Sequence, residues 1–189
     1  MKNFLLILLG LLLGFAVAVY RITHPSEGSV TVQNGVWQAN KKMNLGEDKL
    51  LTAQIALGAT FALQPSEVIY MVVNKDADGK VLHSGEDYVI KGNKSHLKSR
   101  YWSITLYGED HMLVANEADR FSYNMTNTDF DENGNFEIHI SSDKKTPNWL
   151  PSGEEESFLL LLRMYHPHAS VYENVEEIEL PKIVKLENS

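Results

Sequence analysis

Two stretches decide the fold: RYWSITLYG (100–108) and FLLLLRMYHP (158–167). In an extended strand, successive side chains point to opposite faces. The first stretch then sends Trp102, Ile104 and Leu106 one way and Tyr101, Ser103, Thr105 and Tyr107 the other. The second sends Phe158, Leu160, Leu162 and Met164 one way and Leu159, Leu161, Arg163 and Tyr165 the other. Each is a strand with one apolar face, and Arg163 lies inside a run where a charge has no place unless its face is polar. If the two strands are neighbours, their second faces form either the floor of a concave site or the solvent side of a sheet. A buried Arg163 would require a carboxylate, because an unpaired buried charge costs several kcal/mol. Asp119 and Asp87 are the candidates.

Working outward, the texture from Glu67 on is short apolar runs between turn residues. EVIYMVVN, KVLHSG, EDYVIKG, HMLVAN, DRFSYNM, NFEIHI and PKIVKLE read as further strands, and VTVQNGVW as a first one. SSDKKTPNWLPSGEEE reads as a loop in which two prolines stiffen Asn148 and Trp149, a ligand-facing aromatic or, preferred, a hydrophobic plug. NLGEDKLLTAQIALGATFAL (44–63) is the one good helix after the leader, with Asn44 and Glu47 as a capping box, Pro65 as its stop, and apolar stripes that predict cover on both sides. Eight to ten strands and one helix predict a mainly β protein, an antiparallel β-sandwich or barrel.

The chain has 189 residues, 43% hydrophobic, enough for one domain with a substantial core. Its first segment is uncharged from Phe4 to Tyr20. That run is a transmembrane signal-anchor over residues 1–21 or, less favoured, a signal peptide cut after Ala18. Residues 22–34 then read as a tether and 35–189 as the sandwich domain. The expected placement is the inner membrane, single-pass through residues 4–20, with the C-terminal domain in the periplasm. The net charge of −8 argues against nucleic acid as a partner, since that affinity rests on Lys and Arg contacts to phosphate. The chain has no cysteine, so neither disulfides nor thiolate chemistry is available.

Chemistry-bearing motifs are sparse. Asn74–Gly79 and Asp129–Gly134 resemble the front of a calcium loop, with Asp76, Asp78, Asp129 and Asp131 as ligand candidates. Both lack the glutamate at position twelve, where Gly85 and Ile140 stand, and both sit where Asp-Gly and Asn-Gly make hairpins. No metal or cofactor is therefore expected. The seven histidines form no ligand pattern, and no hydrolase, nucleotide-binding or zinc-protease motif occurs.

RYWSITLYGEDHMLVANEADRFSYNM followed by TPNWLPSGEEESFLLLLRMYHP resembles the domain of unknown function 1214 family, with its YWSxTLY strand, LVxN, NWLP and LRxY blocks in that order. The resemblance is strong over residues 100–186 and weaker over 35–92. It implies a jelly-roll-like sandwich and a short member without the upstream domain of unknown function 1254 that larger relatives carry. The family's marked positions fall on Tyr101, Trp102, Ser103, Thr105, Tyr107, Asn116, Arg120, Asn148, Trp149, Leu150, Arg163 and Tyr165. Two departures are His111, where many relatives carry glycine, and His166, where Tyr-Gly-Pro is usual. With Asp119 added as an acid or base, these polar positions are the ligand-binding candidates. Three functions fit: a binding or accessory module for an envelope component or small polar ligand, which is preferred; an enzyme on a small carbohydrate-like or phosphorylated substrate; and a structural subunit of a membrane complex. The enzyme requires Arg163, Tyr107 and a carboxylate in one cleft.

Overall fold

The computed structural model describes residues 2–24, 31–40, 48–58 and 63–187. Ten strands among them form two packed sheets. The larger contains β1 (Thr31–Asn34), β2 (Trp37–Asn40), β3 (Val68–Val73), β5 (Ser99–Gly108), β6 (Ser122–Asn124) and β9 (Phe158–Pro167), in the order β1-β2-β3-β9-β5-β6. The smaller contains β4 (Tyr88–Asn93), β7 (Asn135–Ser141), β8 (Asn148–Pro151) and β10 (Lys182–Lys185), in the order β10-β4-β7-β8.

The composition of β9 explains its central place. Only a strand flanked on both edges can bury so many apolar groups, and β9 lies between β3 and β5. Phe158, Leu160, Leu162 and Met164 point inward and are fully buried, beside Trp102, Ile104 and Leu106 of β5 and Ile69, Met71 and Val73 of β3. The smaller sheet contributes Tyr88, Ile90, Phe136, Ile138, Ile140, Leu150 and Ile183 to the same core. Each buried aliphatic or aromatic side chain contributes about 1.5–3 kcal/mol. Trp102 stacks on Phe136 at 5.3 Å, and a Cβ at Gly92 would stand 2.5 Å from that ring, so glycine is required for the close approach.

Several expectations change. The larger sheet is antiparallel throughout, but the smaller one is mixed: NWLP, read as loop, is β8, and it pairs parallel to β7 with Ile138 opposite Asn148. KVLHSG and HMLVAN form only isolated bridges, Lys75 to Val81, His83 to Ser157 and Tyr107 to Leu113. There the turns take over: Asp76 accepts the N–H groups of Asp78 and Lys80, and Asp110 that of Met112. The sheet begins at Thr31, inside the stretch read as tether. A short helix, α3 (Ala169–Tyr172), follows β9 and buries Val171. The C-terminal segment is tied back to the first hairpin, where Asn34 donates to the carbonyls of Val175 and Ile178 and the Trp37 indole donates to Pro181.

One helix precedes the sandwich and a second lies between β2 and β3. The first, α1 (Lys2–Thr23), has 22 residues, about 33 Å at 1.5 Å per residue, with none buried. It is long and apolar enough to cross a membrane. The second, α2 (Lys49–Gly58), starts at Asp48, whose carboxylate accepts the Leu51 N–H at 2.9 Å. The expected cap pair, Asn44 and Glu47, lies outside the described residues. The predicted cover on both sides is not found among the described α2 residues: none is buried, and Leu57 is 64% exposed.

Candidate functional site

The strands β5 and β9 are neighbours, with Ser103 opposite Arg163 and Tyr101 opposite Tyr165. On the other side of β9, Tyr70 of β3 stands opposite Arg163. The face of the larger sheet turned away from the core therefore carries Arg163 framed by Tyr70, Tyr101, Tyr107 and Tyr165. Arg163 leans along β5: Nη1 donates to Thr105 Oγ1 at 3.2 Å, Nη2 donates to Tyr107 Oη at 2.7 Å, and the guanidinium carbon stands 5.5 Å from the Tyr107 ring centre. The Tyr101 and Tyr165 rings lie 5.8 Å apart. Thr105 is buried beneath this cluster, whereas Arg163 itself is half-buried.

No carboxylate among the described residues pairs with Arg163. Asp87 is taken by Lys145 at 3.1 Å. Asp119 is exposed in a left-handed turn position, φ 48°. A guanidinium has five N–H donors, and the two hydroxyls use two of them. What remains is a fixed, permanently charged fork in an aromatic frame, the group best shaped for a carboxylate or phosphate. Tyr70 was not singled out from sequence, although alternation in VIYMVV places it on the polar face.

The other candidates assemble elsewhere, as a clasp between sheet edges. Asn116 closes the turn ahead of β6: its side-chain oxygen accepts the Arg120 N–H, and its amide donates to the carbonyls of Val114 and Arg120. Arg120 donates to the Tyr123 hydroxyl and lies over that ring. The same hydroxyl accepts the Trp149 N–H at 2.8 Å, joining β6 to β8. Asn148 is buried and satisfied, accepting from Asp129 N–H at 2.9 Å and donating to the carbonyls of Asp129 and Glu137 at 3.1 and 2.8 Å. The Trp149 indole donates to Ser141. Both side chains are thus engaged within the fold, Asn148 fully buried and Trp149 half-buried. Tyr123, the hub of this clasp, carried no signal in the sequence beyond its place in a strand.

The calcium-like turns use their own carboxylates. Asp76 is buried in its turn, and Asp131 accepts the N–H groups of Asn133 and Asn135 and the Asn135 side-chain amide. These bonds, the Asn135 side chain first, hold the Asp131 carboxyl below its ordinary value of 3.8. Beside this turn opens a cavity of about 750 Å³, with Leu97, Phe130, Phe136, Leu180 and Pro181 among its lining residues. Among its polar lining residues, Lys91 pairs with Glu137 at 2.9 Å and His96 stands 3.4 Å from Glu179. Its walls come from four separate segments, which is why no motif announced it.

The two family departures have a backbone consequence. His111 has φ 63° and His166 φ 46°, the left-handed region where glycine is favoured.

Among solved structures, the VPA0106 protein from Vibrio parahaemolyticus matches with a TM-score of 0.61 and 24% identity over 73% of this chain. An uncharacterised protein from Burkholderia cenocepacia gives a TM-score of 0.45 and 13% identity over 90% of this chain. The chain spans 35% and 40% of the lengths of those two proteins, and the first likeness concerns the fold alone. No curated protein matches the chain. Residues 67–169, from the start of β3 to the first residue of α3, contain both the Arg163 face and the clasp, and they match a family model over more than half of the chain; the chain belongs to the family described as Protein of unknown function (DUF1214).

Proposed function

We propose that the chain is a membrane-anchored, periplasm-facing binding module that takes a small anionic ligand, or an anionic group of an envelope component, on the tyrosine-framed face around Arg163. The observation that carries this reading is Arg163 itself: a half-buried cation oriented by Thr105 and Tyr107, with no described carboxylate to neutralise it. Folding a chain around an uncompensated guanidinium is costly unless something outside the sheet makes up for it. Ser103, Tyr101 and Tyr165 supply further polar and aromatic contacts at the same place. The helix α1 supports the anchor, with inner membrane and periplasm as its proposed setting. The enzyme alternative would need a carboxylate beside Arg163 and Tyr107, and among the described residues Asp87 pairs with Lys145 and Asp119 is exposed in its turn.

The test is thermal unfolding of the full-length chain in detergent micelles with phosphate, sugar phosphates, sulfate and di- and tricarboxylates. A ligand at about 100 times its Kd stabilises by about 2.7 kcal/mol, or roughly 5–10 °C for a domain of this size. The shift should vanish in Arg163→Gln, shrink in Arg163→Lys, and persist in a surface variant remote from this face and from the clasp, such as Lys185→Gln on β10. A shift that survives Arg163→Gln unchanged, or an inert panel, overturns the assignment.

A further inference from the structure

We propose that α2 is a lipid-interface helix, lying in the headgroup region of the bilayer beside the end of α1. The proposal rests on the reading of α1 as a membrane anchor. Its sequence, KLLTAQIALG, is apolar around most of its circumference: Leu50, Leu51, Ala53, Ile55, Ala56 and Leu57 leave Lys49 and Thr52 on one side of the helix and Gln54 on the other. A helix that is apolar all round is normally buried in a protein core or in lipid. Here the sandwich does not bury it. None of its described side chains is fully buried: Leu50 to Ile55 are half-buried, Ala56 is exposed, and Leu57 and the following Leu63 are 64% and 44% exposed.

Its position identifies the occupant of that surface. The Gln54 side-chain amide donates to the carbonyl of Arg21 at 2.8 Å, fixing the middle of α2 to the last turn of α1. That turn carries Tyr20 and Arg21, residue types that anchor a spanning helix at the headgroups. A helix pinned there lies at the depth where apolar side chains enter the acyl boundary and polar ones reach water. Continuity with the spanning helix therefore favours a lipid surface over a second copy or another protein. The consequence is orientational: two points of attachment, α1 and α2, would restrict how the sandwich tilts above the membrane.

The chain has no cysteine, so single labels are unambiguous. Leu57→Cys, Leu12→Cys and Met112→Cys, the last 65% exposed on the sandwich, are each labelled with an environment-sensitive fluorophore. Each full-length variant is reconstituted in phosphatidylcholine–phosphatidylglycerol vesicles with and without brominated acyl chains. The expected result is quenching at Leu57→Cys within a factor of about two of that at Leu12→Cys, with none at Met112→Cys. Quenching at Leu12→Cys but not at Leu57→Cys overturns the proposal and leaves the anchor standing. Absence of quenching at Leu12→Cys overturns the anchor, and α2 with it. A label at Leu57→Cys shielded from both brominated lipid and aqueous iodide reports a protein partner, which also overturns the proposal.

Discussion

Replacing Asn148 by alanine tests whether the clasp holds the sandwich together. Asn148 is 1% exposed, and its carboxamide makes three hydrogen bonds, to the Asp129 N–H and to the carbonyls of Asp129 and Glu137. Truncation orphans all three backbone groups at once. A typical intramolecular hydrogen bond is worth about 0.5–1.5 kcal/mol net, so the three together give about 3 kcal/mol, lowered where water enters from the open side of the 129–134 turn. For a domain of this size that is a fall of about 6–12 °C in Tm. Asn148→Asp should be no better, because it keeps the acceptor but sets a charge against two carbonyl oxygens. The assay is thermal unfolding of the full-length chain in micelles, followed by tryptophan fluorescence, since Trp149 sits on the clasp and Trp102 in the core. Arg163→Gln is the internal contrast: it removes a half-exposed side chain and two hydrogen bonds to hydroxyls that can turn to water, so its Tm should change by less than about 4 °C. If Asn148→Ala melts within about 2 °C of the parent chain, the three bonds do not hold the sheet edges and the reasoning fails.

Two further outcomes follow from the backbone and the turn chemistry. His111→Gly and His166→Gly relieve left-handed strain at φ 63° and 46° and should each raise stability by about 0.5–1 kcal/mol after the added chain entropy of glycine is set against it; a lower urea midpoint in either would contradict the strain. Asn135→Ala should raise the Asp131 carboxyl toward 3.8 in an NMR titration, because the Asn135 side chain is the main cause of its lowering. The sign is that of a depressed carboxylate: its stabilising contribution is present above 3.8 and is lost as pH falls through the folded value, so the variant's stability should vary less with pH in that window. An unchanged Asp131 titration would place the cause elsewhere.

Some of this was legible in the chain and some was not, for physical reasons. Period-two alternation in RYWSITLYG and FLLLLRMYHP was enough to put Arg163, Tyr107 and Thr105 on one face, because alternation depends on local geometry alone. The register that sets Ser103 against Arg163, and the arrival of Tyr70 from β3, depend on pairing between distant segments and left no local trace. NWLP was misread because four residues bounded by prolines look like a loop; only the parallel neighbour β7 makes them a strand. KVLHSG and HMLVAN failed in the opposite sense, their strand-like composition yielding to turns fixed by Asp76 and Asp110. For α2, Asp48 sits at the structural cap while the motif pointed four residues earlier, and its apolar circumference was read as core cover when nothing in the described sandwich supplies it.

Apart from Trp102 and Leu150, which lie in the core, the family's marked positions divide between the Arg163 face and the clasp, and the topology suggests why one pattern contains both. On the side away from β9, β5 is flanked by β6, which pairs Ser103 with Asn124 and Thr105 with Ser122, and beyond it by the bridge of Leu113 to Tyr107. The strand β6 is three residues long, too short to hold its place by ladder bonds alone. Asn116 closes the turn that delivers it, and Tyr123 ties it to β8 through the Trp149 N–H. If the clasp opens, β6 is freed first, and β5 loses its brace at Thr105, two residues from Tyr107. These are the two hydroxyls that aim Arg163. The clasp residues would then act on the Arg163 face as positioning residues, through the sheet and without touching a ligand. A destabilised but folded clasp variant should accordingly bind the anion more weakly than Arg163→Gln-independent stability loss alone accounts for, and equal affinity at a temperature where both are folded would separate the two groups.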